Sequence, residues 1–307
     1  MNYTVEDTLN PETGRLPSWF KQKVPDIGKI REMKAKFSVA GLHTVCQSAL
    51  CPNMGTCWEE GTATFMILGE ICTRACRFCA VKAGQPVTVD PDEPREVASA
   101  VKELGLKYAV ITSVTRDDLD DGGASQFVET VNEIRKANLQ TKVEVLIPDF
   151  LNNLESLRKI SAVKPEVIGH NIETVRRLSP VVRPQADYDR SLKVLGNLKQ
   201  LEPSVFIKSG FMVGLGETDD EIVEVVKDLI LAGCDILTIG QYLAPAQSRR
   251  HVKVQRFVAP EKFEFYKQKG LELGFKHVMS APLVRSSYIA EYGFKECCEK
   301  VHAGQTG

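Results

Sequence analysis

Six of the nine cysteines in this 307-residue chain fall between Cys46 and Cys79, so any fold it adopts must be built around their convergence. They form two triplets, C-x4-C-x5-C (Cys46, Cys51, Cys57) and C-x3-C-x2-C (Cys72, Cys76, Cys79). A short apolar segment between them, Thr64 to Leu68, reads as a strand. Each triplet offers three thiolates and no evident fourth ligand. A structural zinc site is closed by four protein ligands, whereas a site that works on a substrate keeps one position open. Three cysteines, twice over, therefore point to two iron–sulfur clusters, each with something exchangeable on its unique iron. Zinc is the alternative, weakened because no second C-x2-C or H-x3-H stands at ribbon or finger spacing. His43, three residues before Cys46, is a further candidate ligand, although an isolated histidine near a metal more often hydrogen-bonds than ligates.

Downstream of the first triplet a regular alternation sets in. Apolar or β-branched runs at Thr64 to Leu68, Tyr108 to Ser113, Lys142 to Ile147, Glu166 to His170, Val205 to Gly210 and Asp235 to Tyr242 read as strands. Segments with helical spacing lie between them. Phe127, Val128, Val131 and Ile134 share one face of Ala124 to Ala137, and Ile222, Val225, Val226, Leu229 and Ile230 share one of Glu217 to Ala232. Leu192, Leu195 and Leu198 repeat the pattern in Asp187 to Leu201. Strand then helix, six times over, implies parallel strands joined by right-handed crossovers. The expected fold class is α/β, a six-unit (β/α) barrel, complete or open, with extensions at both ends. Residues 1–60 would form an N-terminal extension carrying the first triplet, 61–258 the barrel and 259–307 a C-terminal extension.

In such folds chemistry gathers at the carboxyl ends of the strands. Those ends are polar here: Glu70 and the second triplet after the first strand, Thr112 to Asp118 after the second, Pro148-Asp149 after the third. His170 to Thr174 follow the fourth, Met212 to Glu217 follow the fifth, which carries Lys208, and Gln241-Tyr242-Leu243 close the sixth. Each alone is an ordinary solvated loop, but six of them on one rim describe a ligand site.

The N-terminal forty residues, with Pro11, Pro17, Pro25, the Trp19–Phe20 pair and a basic helical run from Ile30 to Phe37, read as a segment wrapping the core. At the other end a helix near Glu261 to Leu273 and a strand near His277 to Ser280 precede Arg285-Ser286-Ser287-Tyr288 and a tail. Cys297 and Cys298 in that tail, and Cys234 in a buried turn, are read as non-functional, since vicinal cysteines do not easily ligate one metal together. Lys plus Arg is 39 against 40 for Asp plus Glu, so no global field draws the chain to nucleic acid or an anionic membrane. Met1 to Gly14 lacks the apolar core of a signal peptide and the Arg-rich character of a transit peptide, and no apolar run is long enough to span a bilayer. A soluble, cytoplasmic protein is expected, its odd cysteine count arguing for metal ligands or catalysis over a disulfide framework.

The C-x3-C-x2-C motif directly after the first barrel strand resembles the radical S-adenosylmethionine superfamily, from about Thr64 to Tyr242. That resemblance implies a 4Fe–4S cluster on Cys72, Cys76 and Cys79 whose fourth iron is chelated by S-adenosylmethionine, with Phe78 near the adenine. The upstream triplet together with Arg285-Ser286-Ser287-Tyr288 is similar to the lipoyl synthase family, as are Cys51-Pro52-Asn53, Thr115 to Leu119, Gly169 to Thr174 and Gly214-Leu215-Gly216-Glu217. It implies a second 4Fe–4S cluster on Cys46, Cys51, Cys57 and the hydroxyl of Ser287, consumed as a sulfur donor. The implied activity is insertion of two sulfur atoms at carbons 6 and 8 of a protein-bound octanoyl chain. Asn171 and Glu173 are expected at the ribose, Thr112, Ser113, Lys208 and Gln241 in the cofactor or substrate cleft, and Arg285 beside the chain end near Ser287. Where the family commonly has His after the Tyr, this chain has Ile289.

The implied partners are octanoylated lipoyl-carrier domains (the glycine cleavage H protein and acyltransferase subunits of 2-oxoacid dehydrogenases), an electron donor such as flavodoxin or ferredoxin, and iron–sulfur assembly proteins. Nucleic acid is not among them. A biotin-synthase-like sulfur inserter, a peptide maturase and a non-catalytic iron–sulfur carrier are the alternative functions. Maturases generally carry extra cysteines after the barrel, and a carrier has no need of six polar strand ends.

Overall fold

A computed structural model describes residues 16–21, 26–39, 42–48, 51, 53–59, 62–245 and 250–305. The acidic segment Met1 to Gly14, Pro25 and Pro52 lie outside the described residues. Eight strands form the main sheet: β1 (His43–Thr44), β2 (Thr62–Ile67), β3 (Tyr108–Ser113), β4 (Lys142–Leu146), β5 (Val167–Gly169), β6 (Phe206–Val213), β7 (Ile236–Gln241) and β8 (His277–Ser280). They lie in sequence order, β1 antiparallel to β2 and all the others parallel. A parallel sheet that never reverses its order puts its crossover helices on one face, so the other face must curl inward to be covered. The result is a barrel-like sheet left open between its first and last strands, as the open form of the expected barrel allows.

Register sorts the two faces. Thr64 pairs with Val110, Met66 with Thr112, Thr112 with Leu146, Lys208 with Ile236 and Gly210 with Thr238, so these residues share the inner face. Phe65, Ile111, Val145, Ile207 and Ile239 point outward and are fully buried under the helices. These are α3 (Glu93–Glu103), α4 (Ala124–Ala137), α5 (Leu154–Ala162), α6 (Tyr188–Leu201), α7 (Asp219–Leu231) and α8 (Pro260–Glu272). Before the barrel run α1 (Ile27–Val39) and α2 (Met54–Glu59). On α4 the face carrying Phe127, Val131 and Ile134 is fully buried, each side chain contributing about 1.5–3 kcal/mol of transfer free energy. Capping sets where several helices begin. Thr218 and Glu221 form a reciprocal capping box on α7, and Asn153 accepts from Glu155 and Ser156 at the start of α5.

The C-terminal residues are not a tail. They form α9 (Ala290–Gln305), whose Ala290, Phe294 and Cys297 pack against inward-facing Tyr108, Val110, Val167 and Ile236 and close the amino-terminal mouth of the barrel. Cys297 is fully buried there, while Cys234 sits in the buried turn after α7. Behind this plug lies a buried polar layer: Lys208 Nζ meets Glu144 Oε1 at 2.7 Å, and Tyr108 Oη donates to Glu144 Oε2 at 2.9 Å.

Candidate functional site

A cavity of about 1310 Å³ opens at the carboxyl ends of the strands, floored by the inner-face residues Met66, Thr112, Leu146, Met212 and Gly240. Cys46, Cys51, Cys72, Cys76 and Cys79 all reach its wall, as do Arg285 and Ser287, whereas Cys57 is buried on α2 behind it. Two cysteine groups far apart in role on the sequence therefore face one space.

The second triplet lies on a loop braced from four directions. Arg74, between Cys72 and Cys76, is buried and donates to both carboxylate oxygens of Asp117 at 2.7 and 2.8 Å, and to Asp149 Oδ1 at 2.7 Å. Asp149 also accepts from Arg190 Nε at 2.8 Å; burial pushes its carboxyl up, but the Arg74 guanidinium outweighs this and holds it well below the usual range. Backbone bonds finish the brace: Thr73 N to Thr115 O, Arg77 N to Val182 O, and Val252 N to Arg77 O. Thr115 N and Arg74 N point at Cys72 Sγ at 3.3 and 3.4 Å, and Val81 N points at Cys79 Sγ at 3.4 Å. Such amides stabilise negative charge on sulfur and orient it.

Beside this loop stand groups with unused hydrogen-bonding capacity. Asn171 donates to Glu173 Oε1 at 3.1 Å, but its own Oδ1 is buried without a partner, as is Ser113 Oγ. Glu173 holds φ +67°, a conformation fixed by its bridge to Phe211, and burial pushes its carboxyl up. Arg183 is buried at the cavity wall, where it donates to Ile172 O at 2.8 Å and has no ion pair among the described residues. Burial lowers its pKa, with Glu173 and Cys76 as the nearest countercharges.

The first triplet is joined to the C-terminal segment across the cavity mouth. Asn53 Nδ2 donates to Leu283 O at 2.6 Å, tying the Cys51–Cys57 turn to the residues before Arg285. Gly240 makes this approach possible, since a Cβ there would stand 2.0 Å from Val284 O. Cys51 and Cys57 both raise the Cys46 thiol, which burial has already pushed up, to about 12. Arg285 lines the cavity, donates to Gln241 O at 3.3 Å and Val284 O at 2.8 Å, and feels the charges of Cys51 and Glu173.

Residues 66–229 match the family model described as the radical SAM superfamily. Lipoyl synthase of Caldanaerobacter subterraneus subsp. tengcongensis is 54% identical over 281 residues, covering 92% of this chain and 98% of that protein. The chain belongs to the lipoyl synthase family. Lipoyl synthases of Pyrobaculum calidifontis (52% identical, covering 93% of this chain and 98% of that one) and Thermus thermophilus (50%, covering 92% and 88%) agree. Among solved structures, the hydrogenase maturase HydG shares the fold with a TM-score of 0.54 at 14% identity, covering 90% of this chain and 68% of HydG.

Membership in the lipoyl synthase family implies S-adenosylmethionine and a 4Fe–4S cluster, and the site suits both. Among the described residues no three His, Cys, Asp or Glu side chains approach closely enough to hold a single ion. Cys72, Cys76 and Cys79 all reach one cavity wall, and three thiolates are the donor set such a cluster takes. The orphaned Asn171 Oδ1 and Ser113 Oγ are acceptors waiting for hydroxyl or amino hydrogens, and the unpaired Arg183 is a cation waiting for a carboxylate. S-adenosylmethionine carries all three partners. Cys76, pushed up to about 11 mainly by burial, must lose its proton as a cluster binds, so loading releases protons.

Of the residues expected in the cleft, Lys208 lies outside it, while Thr112 and Gln241 border the cavity with their side chains engaged by backbone. Lys208 does not line the cleft, because its ammonium is consumed by Glu144 on the barrel floor. Gln241 reaches the wall, but its amide donates to Tyr242 O and Arg256 O and accepts from Val258 N, so it braces backbone. Thr112 Oγ1 likewise donates to Leu146 O at 2.8 Å. Phe78 lines the cavity as expected and packs on Val182, Leu215 and Tyr242. His43 pairs with Met66 as a strand residue. Ile289 takes φ +44°, which a β-branched side chain adopts only under strain. Arg183 and the Arg74–Asp149–Arg190 chain were missed in the sequence; an arginine inside the cysteine motif was the one available signal.

His170 carries a testable pH dependence. It is buried with Nδ1 3.0 Å from Ile147 O and Nε2 3.0 Å from Ser191 Oγ, so it donates to the carbonyl and accepts from the hydroxyl as a neutral ring. Burial pushes its pKa down to about 4. An unfolded histidine titrates near 6.5, so between those values the unfolded chain binds the extra proton. This contribution is complete above pH ~6.5 and disappears as pH falls toward 4, amounting to roughly 3 kcal/mol. Denaturant unfolding of His170→Gln should show a shallower stability loss across that window than the parent. Parallel curves would refute it.

Proposed function

We propose that the chain inserts two sulfur atoms at carbons 6 and 8 of an octanoyl group carried on a lipoyl-carrier domain. Cys72, Cys76 and Cys79 hold the cluster that binds S-adenosylmethionine. Cys46, Cys51, Cys57 and the Ser287 hydroxyl hold an auxiliary cluster. When bound, the first cluster and its cofactor supply hydrogen abstraction from an unactivated carbon, and the second supplies sulfur. The single observation carrying this reading is that five of these six cysteines, from both groups, and Ser287 border the same cavity.

The chain's own residues do the positioning. Arg74, fixed by Asp117 and Asp149, holds the cluster loop rigid. Arg183 receives the cofactor carboxylate, and Asn171, Glu173 and Ser113 receive its hydroxyl and amino hydrogens. Phe78 and Tyr242 form an apolar wall for the adenine. Arg285, partly buried at the cavity wall, directs the acyl chain end. Thr64, Met66, Leu146 and Met212 give the cavity floor a largely apolar surface on which a hydrocarbon chain displaces water favourably.

Anaerobic reconstitution followed by incubation with S-adenosylmethionine, a reductant and an octanoyl-lysine peptide tests the reading. About eight irons per chain and a peptide gaining two sulfurs are expected. Four irons would sink the auxiliary site. Formation of 5′-deoxyadenosine with no sulfur transfer would favour a different radical enzyme.

A further inference from the structure

On the outer side of the cysteine loop lies a second, smaller depression of about 440 Å³. Successive residues of the loop face opposite ways: Cys76, Phe78 and Cys79 border the large cavity, while Arg77 borders this depression. The 251–255 strap lies along both, with His251, Val252, Lys253 and Gln255 bordering each space. Leu178, Val181, Val182, Leu215 and Val252 make its floor apolar, with Val181 49% exposed. No carboxylate lines it.

The rim is cationic. Arg77, His251 and Lys253 border the depression, and Arg250 donates to Val81 O at 2.9 Å next to Lys82. Among the described residues Arg77, Lys82, Arg250 and Lys253 make no ion pair, whereas Arg74, Arg116, Arg176 and Arg177 on neighbouring loops and Arg190 on α6 are all paired with carboxylates. In a chain whose total charge is balanced, four such cations beside one loop are a local field with no internal countercharge. The strap bearing them is bonded to the cysteine loop itself, through Val252 N to Arg77 O and the contact between His251 Nε2 and Cys79 O at 3.1 Å.

We infer that this face is the docking surface for the protein that reduces the cluster, an acidic one-electron carrier of the flavin or iron–sulfur type. The inference rests on the radical-cluster assignment above. The chemistry consumes an electron that no described side chain can supply, and the carrier must approach the cysteines from outside without entering the substrate cavity. A small apolar floor inside a positive rim suits a brief, electrostatically steered encounter, which characterises redox pairs with small interfaces.

The test uses the reconstituted holoenzyme and stopped-flow bleaching of the cluster absorbance by reduced flavodoxin. For the parent, the second-order rate constant should fall steeply with ionic strength. Reversing two rim charges, Lys82→Glu with Lys253→Glu, should lower that constant by ~10-fold or more at low salt and flatten its salt dependence. Reduction by dithionite, which needs no docking, should be unchanged, as should dithionite-driven 5′-deoxyadenosine formation. A control pair on the outer helices, Lys193→Glu with Lys227→Glu, alters net charge equally and should leave the flavodoxin rate near the parent's. Equal flavodoxin rates in parent and rim variant would overturn the proposal, and so would an equal fall in the control. An effect confined to the KM for the octanoylated carrier domain would hand this surface to the substrate protein instead. Failure of dithionite to drive cofactor cleavage in any variant would instead strike the radical-cluster assignment.

Discussion

Ser287→Ala is expected to remove sulfur insertion while sparing cleavage of S-adenosylmethionine. Ser287 is half-buried and reaches the cavity wall beside Cys46 and Cys51. Its segment is carried there by three independent constraints: Asn53 on Leu283, Gln241 N donating to Pro282 O at 3.2 Å, and the bare Cα of Gly240 under Val284. A hydroxyl is a hard ligand on a thiophilic iron, so its bond is the weak one of the four. Losing even an outer-shell support of a metal site costs ~10–100-fold, and a direct ligand should cost at least the upper end of that range. Iron content should fall toward the amount held by one cluster, and lipoyl product should drop ~100-fold or more. The 5′-deoxyadenosine yield should stay near the parent's, because Cys72, Cys76 and Cys79 are held by other residues. Undiminished product from the alanine variant would remove Ser287 from the site.

Lys208→Met is expected to be among the most destabilising single changes in the chain. The Lys208 and Glu144 side chains are 5% and 2% exposed, and Tyr108 Oη completes the carboxylate's partners. Removing the ammonium leaves a buried carboxylate in the barrel floor whose remaining donor among the described residues is the neutral Tyr108 hydroxyl. Breaking a buried pair from one side in this way costs about 3–5 kcal/mol, because the remaining charge is stranded. Adding Glu144→Gln to Lys208→Met should recover most of the loss, since a neutral amide can still accept from Tyr108. Urea denaturation of parent, single and double variants would read both effects. A loss under about 1 kcal/mol for the single variant would mean that water reaches the floor and α9 is a poor seal.

Much of this layout was legible in the one-dimensional pattern. The strands Tyr108–Ser113 and His277–Ser280 have the bounds read from their apolar and β-branched runs, and the helix Ala124–Ala137 those read from its 3.6-residue spacing. What periodicity does not report is height along a strand. Lys208 does share the inner face with Gly210 and Met212, as its parity requires. In the staggered sheet it sits a layer below the cavity, and Glu144, 64 residues away, decides its role. Gln241 fails for a related reason. It stands at a strand end and borders the cavity as expected, but Tyr242 O and the returning 256–258 segment engage its amide.

The sequence by itself determined the two cysteine triplets, the alternation that makes a parallel barrel-like sheet, and the family, since all three are local spacings or ordered motifs. Tertiary structure alone decided that cysteines of both triplets border one cavity. It also decided that Arg183 waits there unpaired, that α9 seals the floor, and that Arg77 looks out toward a cationic rim. Those facts depend on contacts between residues tens to hundreds of positions apart, such as Asn53 with Leu283. No local pattern encodes them, because a side chain's partner is chosen only when the folded backbone brings distant segments within hydrogen-bonding reach.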